Sequence, residues 1–148
     1  MKKILCIILV VFCIILTACG NDSSIGIIGG ADRPTSITIA DKGETVMYQQ
    51  ITPQEAKKIM DSGEEYIILD AREQSEFDEG HIPEAILIPY TEIGKKTEQM
   101  IPDKNTQILV YCRSGRRSKL ASESLSKLGY TNVKEFGGII DWSYEIVK

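Results

Sequence analysis

The chain has 148 residues, of which 43% are hydrophobic, and it carries a formal net charge of −4. This length and composition are typical of one globular domain with short appendages. A nucleic-acid partner is not expected, because binding to the phosphate backbone depends on broad clusters of Lys and Arg that an acidic chain lacks.

The first 18 residues have the pattern of a bacterial lipoprotein signal peptide. Two lysines precede an apolar run, Ile4 to Ile15, which is too short to span a membrane comfortably. The run ends in Leu16-Thr17-Ala18-Cys19-Gly20, which resembles a lipobox. We therefore expect lipidation of Cys19 and anchoring to the extracytoplasmic face of a bacterial cell membrane. An uncleaved anchor is the alternative.

Processing of this leader would leave one free thiol among the four cysteines. Cys6 and Cys13 leave with the signal peptide and Cys19 carries the lipid, so Cys112 has no partner for an intramolecular disulfide. A metal site is not expected, since one histidine and one thiol do not supply a zinc ligand set. Cys112 therefore has a chemical role, or it is a buried and inert side chain.

Residues 19–45 are small and polar, and we interpret them as a flexible tether before a domain of residues 46–148. At the start of this domain Thr52, Pro53 and Glu55 predict a helix with a capping box. Periodicity predicts the remaining elements. The predicted strands are 46–51, 66–69, 85–88, 108–111 and 133–136, and the predicted helices are 53–62, 73–79, 90–100, one that Gly129 ends, and 139–147.

Strands that alternate with helices predict an α/β fold in which helices cover both faces of a parallel sheet. Ligands of such sheets bind beyond the carboxyl ends of the strands. Cys112, Asp70 with Arg72, and a predicted turn at Gly137-Gly138 all follow strand ends, so we expect them at one edge. Asp70 and Arg72 are expected to support the cysteine loop and each other rather than to take part in chemistry.

Cys112 lies where an apolar strand gives way to a helix. Amides of the turn and of the first helical turn would converge on the sulfur and favour its thiolate form. Gly115 would let the turn fold inward, and Ser118 would cap the helix or donate its hydroxyl to sulfur. The arginines of the loop would bind a small anion. The candidate cradle residues are Arg113, Ser114, Gly115, Arg116, Arg117 and Ser118.

Several motifs together resemble those of single-domain rhodaneses. They are Leu69-Asp70-Ala71-Arg72, Glu76-Phe77, Gly80-His81-Ile82-Pro83, the loop 112–118, and Phe136-Gly137-Gly138 with Trp142. The resemblance covers roughly Met47 to Lys148 and implies a rhodanese-like fold with a central five-stranded parallel sheet. It also implies a sulfurtransferase in which Cys112 accepts a sulfane sulfur as a persulfide and passes it to a thiophilic acceptor.

The residues support this chemistry independently of the resemblance. The outer sulfur of thiosulfate or of a persulfide is electrophilic, and a thiolate can attack it while a stable anion such as sulfite leaves. Neither a general base nor a cofactor is required. The expected partners are a small anionic donor such as thiosulfate, a thiol or cyanide-like acceptor, and the membrane through the lipid. We expect a monomer.

Two other functions remain open. A cysteine phosphatase would place an arginine six positions after the cysteine to clamp phosphate oxygens. That position is Ser118, and Arg117 lies one residue early, which disfavours a phosphatase. The second alternative is a membrane-anchored domain that only binds a partner or carries sulfur. Steady turnover of thiosulfate with cyanide would distinguish an enzyme from such a module.

Overall fold

The computed structural model describes residues 47–148. The predicted signal peptide of residues 1–18, the predicted tether of residues 19–45 and the proposed lipidation site Cys19 lie outside the described residues. The elements are, in chain order, β1 (Gln49–Gln50), α1 (Pro53–Asp61), β2 (Ile67–Asp70), α2 (Gln74–Glu79), β3 (Ile86–Leu87), α3 (Ile93–Met100), β4 (Ile108–Cys112), α4 (Arg116–Lys127), β5 (Val133–Gly138) and a 3-10 helix (Ile139–Asp141). Within this part of the chain, every helix is too short or too polar to cross a membrane.

The five strands form one parallel sheet in the order β1-β5-β4-β2-β3. The central strand, β4, is buried along its whole length and pairs with both β2 and β5. Because all strands run in the same direction, their carboxyl ends share one edge, where β2 ends at Asp70 and β4 ends at Cys112. The predicted five-stranded α/β architecture is confirmed.

Helices cover both faces of the sheet and divide the core into two clusters. Successive side chains of a strand point to opposite faces, so Leu109 and Tyr111 join one cluster while Val110 and Cys112 join the other. The Cys112 face is covered by α3 and α4, whose buried apolar side chains are Ile93, Ala121 and Leu125. The opposite face is covered by α1, with Ala56 packed near Phe136 and Trp142.

The predicted start of α1 is confirmed. The backbone N–H of Glu55 donates to Thr52 Oγ1 at 3.2 Å, and the N–H of Thr52 donates to Glu55 Oε2 at 2.7 Å. Pro53 occupies the first turn, where its missing N–H costs nothing because those donors have no intrahelical acceptor. The helix therefore begins where local sequence chemistry places it.

The helix predicted over residues 139–147 is wrong, because only the 3-10 turn Ile139–Asp141 forms. The Trp142 ring is buried in the second cluster, and its Nε1 donates to Glu145 O at 3.1 Å. Further on, Val147 and His81 exchange two backbone hydrogen bonds of 2.8 Å. This pairing with the connection between α2 and β3 takes the backbone groups that a helix would have used.

The helix predicted over residues 90–100 begins later, at Ile93. The backbone N–H of Tyr90 donates to Ala71 O at 3.2 Å, and the N–H of Glu92 donates to Pro89 O at 2.7 Å. These bonds keep the first residues of the predicted helix in a turn at the edge of the sheet.

Candidate active site

Cys112 is the last residue of β4, and a short turn joins it to α4. Gly115 caps α4 with a φ of +95°, in the left-handed region that a side chain makes unfavourable. A Cβ on Gly115 would meet Gly137 Cα at 3.6 Å, which is ordinary contact. The backbone angle, rather than a lack of space, therefore favours glycine at this position, and it turns the first amides of α4 back towards the cysteine.

Backbone N–H groups of this turn donate hydrogen bonds to the sulfur. The Gly115 nitrogen lies 3.1 Å from Cys112 Sγ, and the amides of Ser114 and Ser118 also act on it. Burial raises the pKa of the Cys112 thiol, but the Ser118 hydroxyl and the three amides outweigh burial and hold the pKa below its ordinary value. The geometry therefore favours a thiolate.

The Cys112 side chain is fully buried, whereas Arg113 and Ser114 beside it are exposed. A buried anion is tolerated only when polar groups replace its lost water, and here the turn amides do so. Exclusion of water also strengthens each hydrogen bond to the sulfur. The turn over the sulfur is itself in contact with solvent.

Strand β5 supports the cysteine loop. Its last residue, Gly138, pairs with Cys112 after a register shift, so the predicted turn at Gly137-Gly138 is instead the end of the strand. A Cβ on Gly138 would lie 2.2 Å from Arg113 O and 2.5 Å from Ser114 Cα. Glycine at this position therefore permits β5 to approach the backbone of the loop.

Ser118 does not cap α4, because Gly115 occupies the cap and Ser118 lies in the first turn. The buried Ser118 Oγ lies 2.6 Å from Glu135 Oε1, 2.8 Å from Gly115 O and 3.3 Å from Gly137 O. Glu135, which is 2% exposed, was not among the predicted site residues. Its only signal in the sequence is an acidic residue inside a strand of a parallel sheet, where apolar residues dominate.

The three arginines of the loop have different surroundings. Arg117 forms a bidentate ion pair with Glu76 of α2, with nitrogen–oxygen distances of 2.5 and 2.7 Å. Arg113 and Arg116 are exposed. The hydrogen bonds from Arg117 lower the pKa of Glu76 to about 2, although partial burial opposes them. Arg117 therefore joins α4 to α2, and Arg113 and Arg116 are the arginines available to an anion.

The structure brings Asp70 and Arg72 together, as predicted. Arg72 Nε and NH2 lie 2.9 and 2.7 Å from Asp70 Oδ2, and NH2 also donates to Gly80 O at 2.8 Å. The guanidinium lies 5.6 Å from the Tyr111 ring centroid. These contacts fix the connection after α2, and the positive charge of Arg72 also helps to lower the pKa of Glu76, the partner of Arg117. Among residues 47–148, no three His, Cys, Asp or Glu side chains are grouped to hold a metal ion.

Replacing Gly138 with alanine should displace the cysteine loop, because the new Cβ would lie 2.2 Å from Arg113 O. We expect a loss of about 1–3 kcal/mol in the free energy of unfolding, which urea denaturation measures. Gly94→Ala is the matched control, since a Cβ there meets nothing within 4 Å. Equal stability of the two variants would show that β5 does not pack closely on the loop.

Replacing Glu76 with glutamine should remove a pH-dependent contribution to stability. The folded pKa of about 2 lies below the ordinary 4.5, so the contribution is complete above 4.5 and is lost as the pH falls towards 2. The difference in free energy of unfolding between wild type and Glu76→Gln should therefore shrink across this range in urea titrations. Glu79→Gln, an exposed change on the same helix, is the control. A difference independent of pH would contradict the ion pair.

Comparison with known proteins agrees with this geometry. A family model described as Rhodanese-like domain matches residues 52–145. Thiosulfate sulfurtransferase PspE of Escherichia coli is 39% identical over 80 residues, which cover 54% of this chain and 77% of PspE. UBA4 of Candida albicans, named an adenylyltransferase and sulfurtransferase, is 31% identical over 104 residues, and the match covers 66% of this chain but 24% of UBA4.

A solved structure described as a rhodanese with anions from E. coli is also similar. It is 37% identical with a TM-score of 0.54, and the match covers 56% of this chain and 98% of that chain. The matched residues 52–145 include the cysteine turn and four of the five strands. The chain therefore belongs to the rhodanese-like domain family.

Proposed function

We propose that this chain is a sulfurtransferase that moves a sulfane sulfur from thiosulfate or a persulfide donor to a thiophilic acceptor through a persulfide on Cys112. Membership of the family and a relative named thiosulfate sulfurtransferase support the general class. The observation that carries the proposal is the set of turn amides facing the sulfur, with the Gly115 nitrogen 3.1 Å from Sγ.

In the first step the Cys112 thiolate attacks the outer sulfur of thiosulfate. A bond forms between Sγ and that sulfur, the sulfur–sulfur bond of thiosulfate breaks, and its electron pair leaves with sulfite. No separate base is needed, because the lowered pKa of Cys112 already favours the thiolate. The persulfide that remains carries a negative charge, which the amides of the turn can stabilise as they would an oxyanion.

In the second step an acceptor such as cyanide attacks the terminal sulfur of the persulfide. The new bond forms to that sulfur, the sulfur–sulfur bond to Cys112 breaks, and the electron pair returns to Sγ as thiolate. Sulfur leaves as thiocyanate, and the cysteine is restored.

The exposed side chains of the loop suit an anionic donor. Arg113 and Arg116 project positive charge at the surface next to the cysteine, although the chain as a whole has a net charge of −4. A local positive field concentrates small anions and raises their rate of encounter. The similar E. coli rhodanese structure is one described with anions.

A sulfur-carrier or binding module is the second candidate. The complete burial of Cys112 favours it, because a free small donor must reach a sulfur that the turn encloses. Assays with thiosulfate and cyanide separate the candidates. Steady release of thiocyanate supports the enzyme, whereas a persulfide that forms but is not released to cyanide supports a carrier with a dedicated acceptor.

We also propose that Cys19 carries lipid and holds the domain at the extracytoplasmic face of the membrane. The support is the pattern of the first 20 residues, in which a short apolar run ends at a lipobox-like sequence. Two or more acyl chains are needed, because a single chain binds a bilayer only marginally. Mass spectrometry of the mature protein tests this proposal, and an unmodified Cys19 would contradict it.

Replacing Cys112 with serine should abolish sulfur transfer while the domain stays folded, because the change replaces one sulfur by oxygen. After exposure to thiosulfate, mass spectrometry should find the mass of one added sulfur atom on the Cys112 peptide of wild type and none on that of the variant. Circular dichroism of both proteins controls for folding. Transfer activity that survives in the variant would eliminate the mechanism.

Replacing Arg113 with glutamine should raise the KM for thiosulfate about fivefold and leave kcat nearly unchanged, because an exposed charge contributes about 1 kcal/mol to docking. Initial rates over a range of thiosulfate concentrations measure both constants. Lys58→Ala removes the same charge from an exposed position on α1 and serves as the control. An unchanged KM would remove Arg113 from the docking role.

A further inference from the structure

Glu135 is a buried acidic residue of the site to which the sulfur chemistry gives no role. Its carboxylate is 2% exposed and is surrounded by three neutral donors. Oε1 accepts from Ser118 Oγ at 2.6 Å and from Gly137 N at 2.9 Å, and Oε2 accepts from Gln50 Nε2 at 3.2 Å. An ionised carboxylate only accepts hydrogen bonds, so this set of donors fits the charged form.

Ser118 has one hydroxyl proton and several acceptors for it. The hydroxyl is the first of the groups that lower the pKa of the Cys112 thiol, so it acts on the sulfur as well. The same proton also faces Glu135 Oε1, at 2.6 Å, which is the length of a charge-assisted O–H···O⁻ hydrogen bond. Such a bond is about twice as strong as a neutral one. The carboxylate, the carbonyl oxygens of Gly115 and Gly137, and the sulfur therefore compete for a single proton, and the carboxylate is the charged acceptor at the shortest distance.

We propose that Glu135 is a positioning residue that keeps Cys112 strongly nucleophilic by limiting how strongly the Ser118 hydroxyl donates to the sulfur. A thiolate that accepts fewer hydrogen bonds is more basic and attacks sulfur faster. The inference rests on the proposed function only in taking Cys112 as the nucleophile. Gln50 of β1 and the Gly137 amide of β5 hold the carboxylate in place for this role.

Other charged groups near this cluster are accounted for. Arg117 is engaged by Glu76, and most of the other charged side chains on these elements are exposed and thus screened by solvent. Two of them, Lys119 and Asp141, line the cleft that Glu135 also lines. The exposed charged residues of the loop, α4 and the 3-10 turn are Arg113, Arg116, Lys119, Lys127 and Asp141, while Glu123 of α4 and Lys134 of β5 are half-buried.

The test measures the reaction of Cys112 with iodoacetamide as a function of pH in the full chain. Mass spectrometry of peptides separates Cys112 from the other cysteines, Cys6, Cys13 and Cys19. For Glu135→Gln we expect the midpoint of the profile to move to lower pH by about 0.5 to 1 unit, because the neutral amide oxygen accepts more weakly and the hydroxyl donates more strongly to sulfur. The plateau rate should fall about twofold to threefold, since nucleophilicity falls with basicity.

Glu135→Asp separates hydroxyl direction from charge. This variant keeps the negative charge but withdraws the carboxylate by one methylene, so its midpoint should also move to lower pH. A wild-type midpoint in Glu135→Asp beside a shifted Glu135→Gln would show that charge alone acts, and would overturn the proposal. Unshifted profiles in both variants would overturn it as well.

Ser118→Ala tests whether the effect passes through the hydroxyl. We expect Glu135→Gln to shift the midpoint much less when Ser118 is alanine than when it is serine. An equal shift in both backgrounds overturns the proposal. Asp141→Asn removes a charge from the same cleft and should leave the profile unchanged, so a shift as large as that of Glu135→Gln would assign the effect to general electrostatics instead.

Alkylation does not require sulfur transfer, so the two proposals fail separately. Shifted profiles in a chain that transfers no sulfur would refute the sulfurtransferase and keep the role of Glu135. Normal sulfur transfer with unshifted alkylation profiles would refute the role of Glu135 and keep the sulfurtransferase. Thermal unfolding of each variant establishes that the chain is folded, and Glu135→Asp provides the measurement if Glu135→Gln does not fold.

Discussion

A buried anion is stable only where hydrogen bonds replace its hydration, and the end of β4 meets that condition for the sulfur of Cys112. Burial alone would favour the neutral thiol. The Ser118 hydroxyl and the amides of Ser118, Ser114 and Gly115 reverse this preference, so the pKa lies below that of a free thiol. The same burial keeps water from competing for these hydrogen bonds. The turn therefore both encloses the sulfur and favours its thiolate form.

The rest of the domain places these amides. Alternation along β4 directs Cys112 to the face that α4 covers. The left-handed Gly115 then aims the first turn of α4 back at the strand, and the ion pair between Arg117 and Glu76 joins α4 to α2. On the other side Gly138 permits β5 to approach the loop backbone. The turn is thus held by contacts from three directions.

Charge at the site is divided between an inner and an outer set. The outer set, Arg113 and Arg116, is exposed and suits a small anionic donor. The inner set is the carboxylate of Glu135 with its neutral donors, which include Ser118. A carboxylate that accepts the Ser118 hydroxyl does not by itself help to stabilise the thiolate. Its presence agrees with a site in which reactivity, and not only ionisation, is adjusted.

Much of the fold and of the candidate site was predicted from local sequence patterns. The capping box of Thr52 and Glu55, the position of Cys112 at the end of β4, and the alternation that specifies a parallel sheet all depend on spacings of a few residues. The motif of the loop 112–118, together with the other motifs quoted above, indicated the family. These features follow from sequence because hydrogen bonds and side-chain periodicity within one element are fixed by neighbouring residues.

Contacts between distant residues could not be obtained in this way. The partner of Arg117 is 41 residues away, and the partner of Ser118 is 17 residues away. The chain end pairs with His81 instead of forming the predicted helix. Sequence patterns alone were enough to predict the fold class and to single out Cys112 and the loop around it as a candidate site. Which charges are paired, which amides face the sulfur, and that Glu135 accepts the hydroxyl of Ser118 are seen only in the folded chain, because each depends on how separate elements pack.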